Sequence, residues 1–132
     1  MNVFADTSAF FAILDPRDLH HQKAAEIWRR LIENDTPVVT TNYVVAETFS
    51  VCQRRMGIGA ARSFHEKIAP VLNIVWVDES IHEVGTQALL AAGSSKLSLV
   101  DCVSFHVMRQ YGITAAFAFD KHFEDQGFDC NP

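Results

Sequence analysis

Short apolar runs alternate with helical patterns along the whole chain. Val3-Phe4-Ala5 is an apolar run that ends on Asp6 and reads as a buried strand. Phe10, Phe11 and Leu14 belong to a short helix that Thr7 or Ser8 can cap and Pro16 ends. Ala24, Ile27, Trp28, Leu31 and Ile32 follow the i, i+3, i+4, i+7, i+8 spacing of an amphipathic helix over residues 18–34. Val38-Val39-Thr40 predicts a second strand, and a helix capped at 41–42 runs to about Arg55 before Gly57 and Gly59. One further helix is expected over 60–69, stopped ahead of Pro70, and a third strand over 73–77. Ile81, Val84, Ala88 and Ala91 predict a helix ending at Gly93. Val100, Val103 and Val107 mark another over 98–111, and the run 115–119, ending on Asp120, predicts a fourth strand.

Strands alternating with helices predict an α/β fold with a parallel sheet. Strands that are continuously apolar, rather than alternating, suit a sheet covered on both faces. The expected architecture is a three-layer α/β/α sandwich with four to five strands. At ~100–200 residues per domain, the 132 residues predict a single domain over 1–132. No apolar run approaches the ~20 residues that span a bilayer, and Met1 to Asp6 carries no signal-peptide pattern, so no membrane partner is expected. Cys52, Cys102 and Cys130 are odd in number and scattered, which points to reduced thiols and a cytoplasmic protein.

Ligands of an open parallel sheet sit at the carboxyl ends of its strands. Asp6 and Asp120 terminate predicted strands, while Glu47 and Asp101 interrupt apolar stretches near predicted helix starts. Each has a plain alternative. Asp6 and Asp120 can cap the helices that follow them, Asp101 fits a capping box with Ser98, and Glu47 sits where helices favour acids. Together, however, all four are expected on one edge of the sheet. Four carboxylates in one pocket cannot all ionise without a cation, and an all-oxygen set selects Mg²⁺, with Mn²⁺ as a substitute, over Zn²⁺. Carboxylate-held Mg²⁺ commonly serves phosphate chemistry by activating water.

The segments 3–8, 42–48, 97–105 and 116–123, centred on these four acids, resemble the successive motifs of PIN-domain ribonucleases, in particular the VapC-like toxins of toxin–antitoxin pairs. Order, residue type and spacing agree over essentially the whole chain. The resemblance implies a Rossmann-like fold of about five parallel strands and a Mg²⁺-dependent endoribonuclease that hydrolyses RNA phosphodiester bonds. It assigns Asp6, Glu47, Asp101 and Asp120 to the acidic quartet, with Asp6 and Asp101 as the most direct metal ligands. Ser8 matches a supporting hydroxyl, and Asp125 and Asp129 are weaker alternatives to Asp120. Homodimers and an inhibiting antitoxin are implied as well. A stand-alone RNA-processing nuclease and an inactive PIN-like binding module are the alternative readings.

The charge balance bears on RNA as a substrate. There are 16 acidic and 11 basic residues, but setting the four candidate carboxylates aside takes the net from −5 to −1. Arg17, His20, His21, Lys23, Arg62, Lys67, Lys96, Lys121 and the pairs Arg29-Arg30 and Arg54-Arg55 are then candidate phosphate contacts, the pairs being equally readable as solvated helix faces. Trp28 and Trp76 are expected in the core. His106 is expected to be partly exposed, and His122 is a candidate to approach Asp120. Cys102 adjoins Asp101, but a helix turns neighbours about 100° apart, and no placed base supports thiol chemistry.

Overall fold

A computed structural model describes residues 1–132. Five strands form one parallel sheet: β1 (Val3–Ala5), β2 (Val38–Thr41), β3 (Leu72–Val75), β4 (Ala115–Phe117) and β5 (Asp129–Cys130), in the order β3-β2-β1-β4-β5. Seven helices alternate with them: α1 (Thr7–Leu14), α2 (His21–Glu33), α3 (Asn42–Met56), α4 (Ile58–Ser63), α5 (Glu79–Ala92), α6 (Leu99–Gln110) and α7 (Lys121–Asp125). The expected α/β architecture is therefore present, with five strands.

The centre of the sheet is fully buried: Val3, Phe4, Ala5, Ala116 and Phe117 are 0% exposed. Parallel strands covered on both faces have no solvent side on which to place polar residues. Successive side chains of β1 point to opposite faces, and Phe4 meets Phe123 of α7 with ring centroids 6.4 Å apart. Phe123 in turn meets Phe105 of α6 edge-on at 5.0 Å. Elsewhere Phe10 of α1 packs on Phe64 at 5.3 Å.

The strand order reverses direction at β1. Connections from β1 lead outward to β2 and β3, and the return by way of α5 and α6 enters β4 on the other side. β1 and β4 therefore flank the switch point, where an open α/β sheet forms a crevice at its carboxyl ends. Backbone bonds extend this pairing to the crevice, since the Asp6 N–H donates to the Phe117 carbonyl at 3.1 Å.

Three sequence expectations change. The helix expected over 60–69 is divided into α4, a π-helical turn over Phe64–Ile68 and a 3₁₀ turn over Ala69–Val71. The wider turn keeps Phe64 and Ile68 both buried, and Pro70 then ends the helical ladder. The third strand ends at Val75, which pairs with Thr41. Trp76, just beyond that last pair on an edge strand, is 70% exposed instead of lying in the core. Trp28 does pack against the core. The fifth strand, only two residues long, lies beside β4.

Candidate active site

Asp6 follows β1 directly and is the N-cap of α1. Its Oδ2 accepts the Ser8 N–H at 3.1 Å and the Ser8 hydroxyl at 2.7 Å. The capping and site readings are thus compatible, because one carboxylate oxygen caps the helix and the other is left over. No buried polar side-chain atom lacks a partner, so that second oxygen reaches the cleft. Asp6 is only 4% exposed. Burial pushes its pKa from 3.8 up to about 7, the two Ser8 bonds oppose the rise, and the charges of Asp101 and Glu47 add to it.

Ser8 does more than cap. While donating to Asp6, its Oγ accepts the Phe119 N–H at 2.9 Å. One hydroxyl thereby ties the exit of β1 to the exit of β4, one residue before Asp120. The chain there is pinned further by Asn131, whose Oδ1 accepts the Ala118 N–H at 3.1 Å.

Asp101 is the third residue of α6, in the expected capping box. The Ser98 hydroxyl accepts the Asp101 N–H at 3.0 Å, and Asp101 Oδ2 accepts the Ser98 N–H at 3.1 Å. Burial raises its pKa, the Ser98 N–H opposes this, and the charge of Asp120 adds to the rise. Asp120 caps α7 by accepting the His122 N–H at 3.0 Å. The same oxygen lies 3.7 Å from His122 Nε2. Ligand atoms of Asp101, Asp120 and His122 all fall within 4.8 Å of one another, a spacing that could hold a metal ion. Glu47 projects from α3, whose start is capped by the Thr41 hydroxyl accepting the Val44 N–H at 3.2 Å.

Asp6, Glu47, Asp101 and Asp120, from four separate elements, line one cleft of about 490 Å³, together with Ser8, Ser98 and the cations Arg55 and Lys96. Asp125 and Asp129 do not line it. Asp125 is exposed at the end of α7, and Asp129 pairs with Ala115 at the start of β4, the opposite end of the sheet. Of the arginine pairs, Arg29 is engaged with Glu33 at 2.9 Å on a solvated face, and only Arg55 reaches the cleft. Cys102 and His106 border a different, apolar hollow with Val84 and Phe105. Burial pushes the Cys102 thiol up, which keeps it protonated.

Sequence reasoning missed Asp18, a further carboxylate on the cleft. Its local signal is an Asx turn: Oδ1 accepts the His20 N–H at 2.8 Å. His122 was the signal read only in part, as a neighbour of Asp120.

The donor set fits a hard divalent cation. Oxygen ligands, which suit Mg²⁺ and Mn²⁺, dominate, two of the carboxyls are raised by burial and neighbouring carboxylates, and one histidine nitrogen stands beside them.

The chain is 34% identical over 128 residues to the 23S rRNA-specific endonuclease VapC20 of Mycobacterium tuberculosis, in two strains, covering 96% of this chain and 95% of the relative. It superposes on the crystal structure of M. tuberculosis VapC20, described as a sarcin–ricin-loop-cleaving toxin, with a TM-score of 0.83 and 32% identity over 96% of each chain. FitAcB from Neisseria gonorrhoeae shares the fold, with a TM-score of 0.69 at 15% identity over 97% of this chain and 95% of that one. The PIN domain profile matches residues 3–129, and this chain belongs to the PIN-domain family.

Proposed function

We propose that this protein is a Mg²⁺-dependent endoribonuclease, acting as a single domain over 1–132, and the toxin of a toxin–antitoxin pair. The observation that carries the reading is the convergence of Asp6, Glu47, Asp101 and Asp120 in one cleft at the switch point, in a chain 34% identical to an rRNA endonuclease. In this reading Asp6 and Asp101 are the most direct ligands for the ion and Glu47 and Asp120 complete the set; as folded, the ligand atoms within 4.8 Å of one another are those of Asp101, Asp120 and His122, which adds a nitrogen beside Asp120. When bound, Mg²⁺ supplies a water of lowered pKa and neutralises charge building on the scissile phosphate.

The chain's own groups prepare that site. Ser8 holds the Asp6 carboxylate at 2.7 Å and, through the Phe119 N–H, fixes the backbone that carries Asp120. Ser98 holds Asp101 by two bonds at the start of α6, where the positive helix end favours its ionised form. Arg55 and Lys96 line the same cleft and offer charge to the phosphates on either side of the cut. A loop of large-subunit rRNA is the first substrate to test, by likeness to VapC20.

An antitoxin segment with a basic side chain would complement the same carboxylates. A homodimer is consistent with exposed apolar side chains such as Trp76 and Leu90, each 70% exposed. Three free cysteines suit a reducing cytoplasm.

The test is cleavage of 23S rRNA and of its sarcin–ricin hairpin by wild type, Asp6→Asn and Asp101→Asn, with Mg²⁺ and with EDTA. The expected result is cleavage by wild type alone, only with metal, leaving 5′-phosphate ends. Equal activity in EDTA defeats the metal assignment, and 2′,3′-cyclic phosphate ends point to attack by the 2′-hydroxyl. A folded wild type that binds RNA without cutting it supports the binding-module alternative.

A further inference from the structure

An acidic cleft has little charge with which to draw in a polyanion, so its grip on RNA needs a component that is not electrostatic. We propose that His20, lying on Phe119, is a base-stacking residue that takes an unpaired nucleobase of the substrate strand at the cleft. The inference rests on the ribonuclease reading above and specifies how that site holds its substrate.

The chain builds this feature in steps. Past Pro16, the Asp18 side chain closes a turn by accepting the His20 N–H at 2.8 Å. The two adjacent histidines then part. His21 is anchored through Nδ1 to the Ala12 carbonyl at 2.8 Å. The His20 ring instead lies flat against Phe119, 4.5 Å between centroids and 8° from parallel, and both rings line the cleft. His20 stands at the N-cap of α2 yet makes no side-chain capping bond. A serine or aspartate would serve the helix better there, so helix capping does not account for an imidazole at this position.

Phe119 is itself immobilised. Its N–H is bonded to the Ser8 hydroxyl that holds Asp6, and its ring meets Phe117 of the core edge-on at 6.1 Å. Asp120 is the next residue. A base laid on this platform is therefore held in fixed relation to the carboxylates at the cut. Every nucleobase has a face to stack, and alanine substitution of a stacking aromatic costs ~5- to 150-fold in affinity, the equivalent of ~1–3 kcal/mol per base. Arg55, its guanidinium 5.3 Å over the Phe11 ring, leaves the neighbouring phosphate its own contact.

The experiment uses the full chain carrying Asp101→Asn, in Mg²⁺, so that RNA binds uncut. The probe is a sarcin–ricin hairpin RNA with 2-aminopurine placed at each loop position in turn, and the readouts are fluorescence quenching and affinity. At one position quenching is expected, lost with His20→Ala and restored with His20→Phe, with affinity following within that same range. Removing the base at that position should abolish the difference between His20 and alanine. In the active chain, His20→Ala should raise KM with kcat little changed. Undiminished quenching and affinity in His20→Ala overturn the proposal, as does a defect that persists on the abasic RNA or that phenylalanine does not rescue. RNA cleavage by wild type with no base-specific effect of His20 overturns this inference alone. Absence of both RNA binding and cleavage overturns the ribonuclease reading with it.

Discussion

Replacing Asp6 by asparagine separates what the site needs from what the fold tolerates. Asparagine keeps an oxygen for the Ser8 N–H and hydroxyl and caps a helix as well as aspartate does, so the structural role survives while the charge is lost. The magnitude follows from the burial of Asp6. Its carboxyl titrates at about 7 in the fold against 3.8 for an ordinary aspartate. Because the folded pKa is raised, the stability tied to this group is fully present below the ordinary value and is lost as pH rises through 7. At ~1.4 kcal/mol per pH unit, the penalty for an ionised Asp6 is at most ~4 kcal/mol at pH 8. Asp101, also raised, acts in the same direction.

Denaturant and thermal melts in EDTA from pH 4 to pH 8.5 measure the difference. Asp6→Asn should match wild type near pH 4 and exceed it at pH 8 by as much as ~4 kcal/mol, or up to ~15 °C in Tm. Added Mg²⁺ should raise wild type and leave the variant almost unmoved, narrowing the gap. The reasoning is refuted if the variant is no more stable than wild type at pH 8, or if the gap is the same at both ends of the pH range.

Ser8→Ala removes the hydroxyl that joins Asp6 to the Phe119 backbone, and RNA cleavage should fall ~10- to 100-fold with the far-ultraviolet spectrum unchanged. Ser98→Ala breaks the capping box of α6, and a melt should record a loss of ~1 kcal/mol. Gly85→Ala sets a methyl group 2.5 Å from Val103 Cγ2, where α5 crosses α6. Overpacking of ~1–3 kcal/mol should outweigh the ~1 kcal/mol gain in helix propensity, so denaturant melts should show net destabilisation. Sedimentation of wild type should give a homodimer, and Trp76→Asp, at a side chain 70% exposed in the single chain, should shift it toward monomer.

The fold was legible wherever the apolar pattern was long enough to have a period. β1 and β4 are continuous apolar runs because both faces of the sheet are covered, and the α2 spacing is close to ideal. Elements shorter than a period left no pattern: β5 has two residues, and the π-helical turn at Phe64 differs from an α-helix only in how its hydrogen bonds are shared. Trp76 misled because a β-rich run does not reveal that its strand lies at an edge and ends one residue earlier.

The four acids were each ambiguous for a physical reason that the structure explains. Asp6, Asp101 and Asp120 do cap their helices, and they also line the cleft. At the carboxyl end of a parallel sheet these roles coincide, since helix starts and ligands share that edge. The capping alternatives therefore described half of what the residues do. Asp18 stayed hidden because it ends no apolar strand, and only the turn after Pro16 brings it in. Arg55 could not be told from Arg54 without knowing which face of α3 meets the cleft.

Anomalous diffraction from crystals soaked in Mn²⁺ tests the central claim most directly. The account predicts a peak among the Asp6, Asp101 and Asp120 carboxylates, abolished in Asp6→Asn crystals of the same form. Well-ordered density for these side chains with no peak between them, or a peak that Asp6→Asn leaves intact, would contradict it.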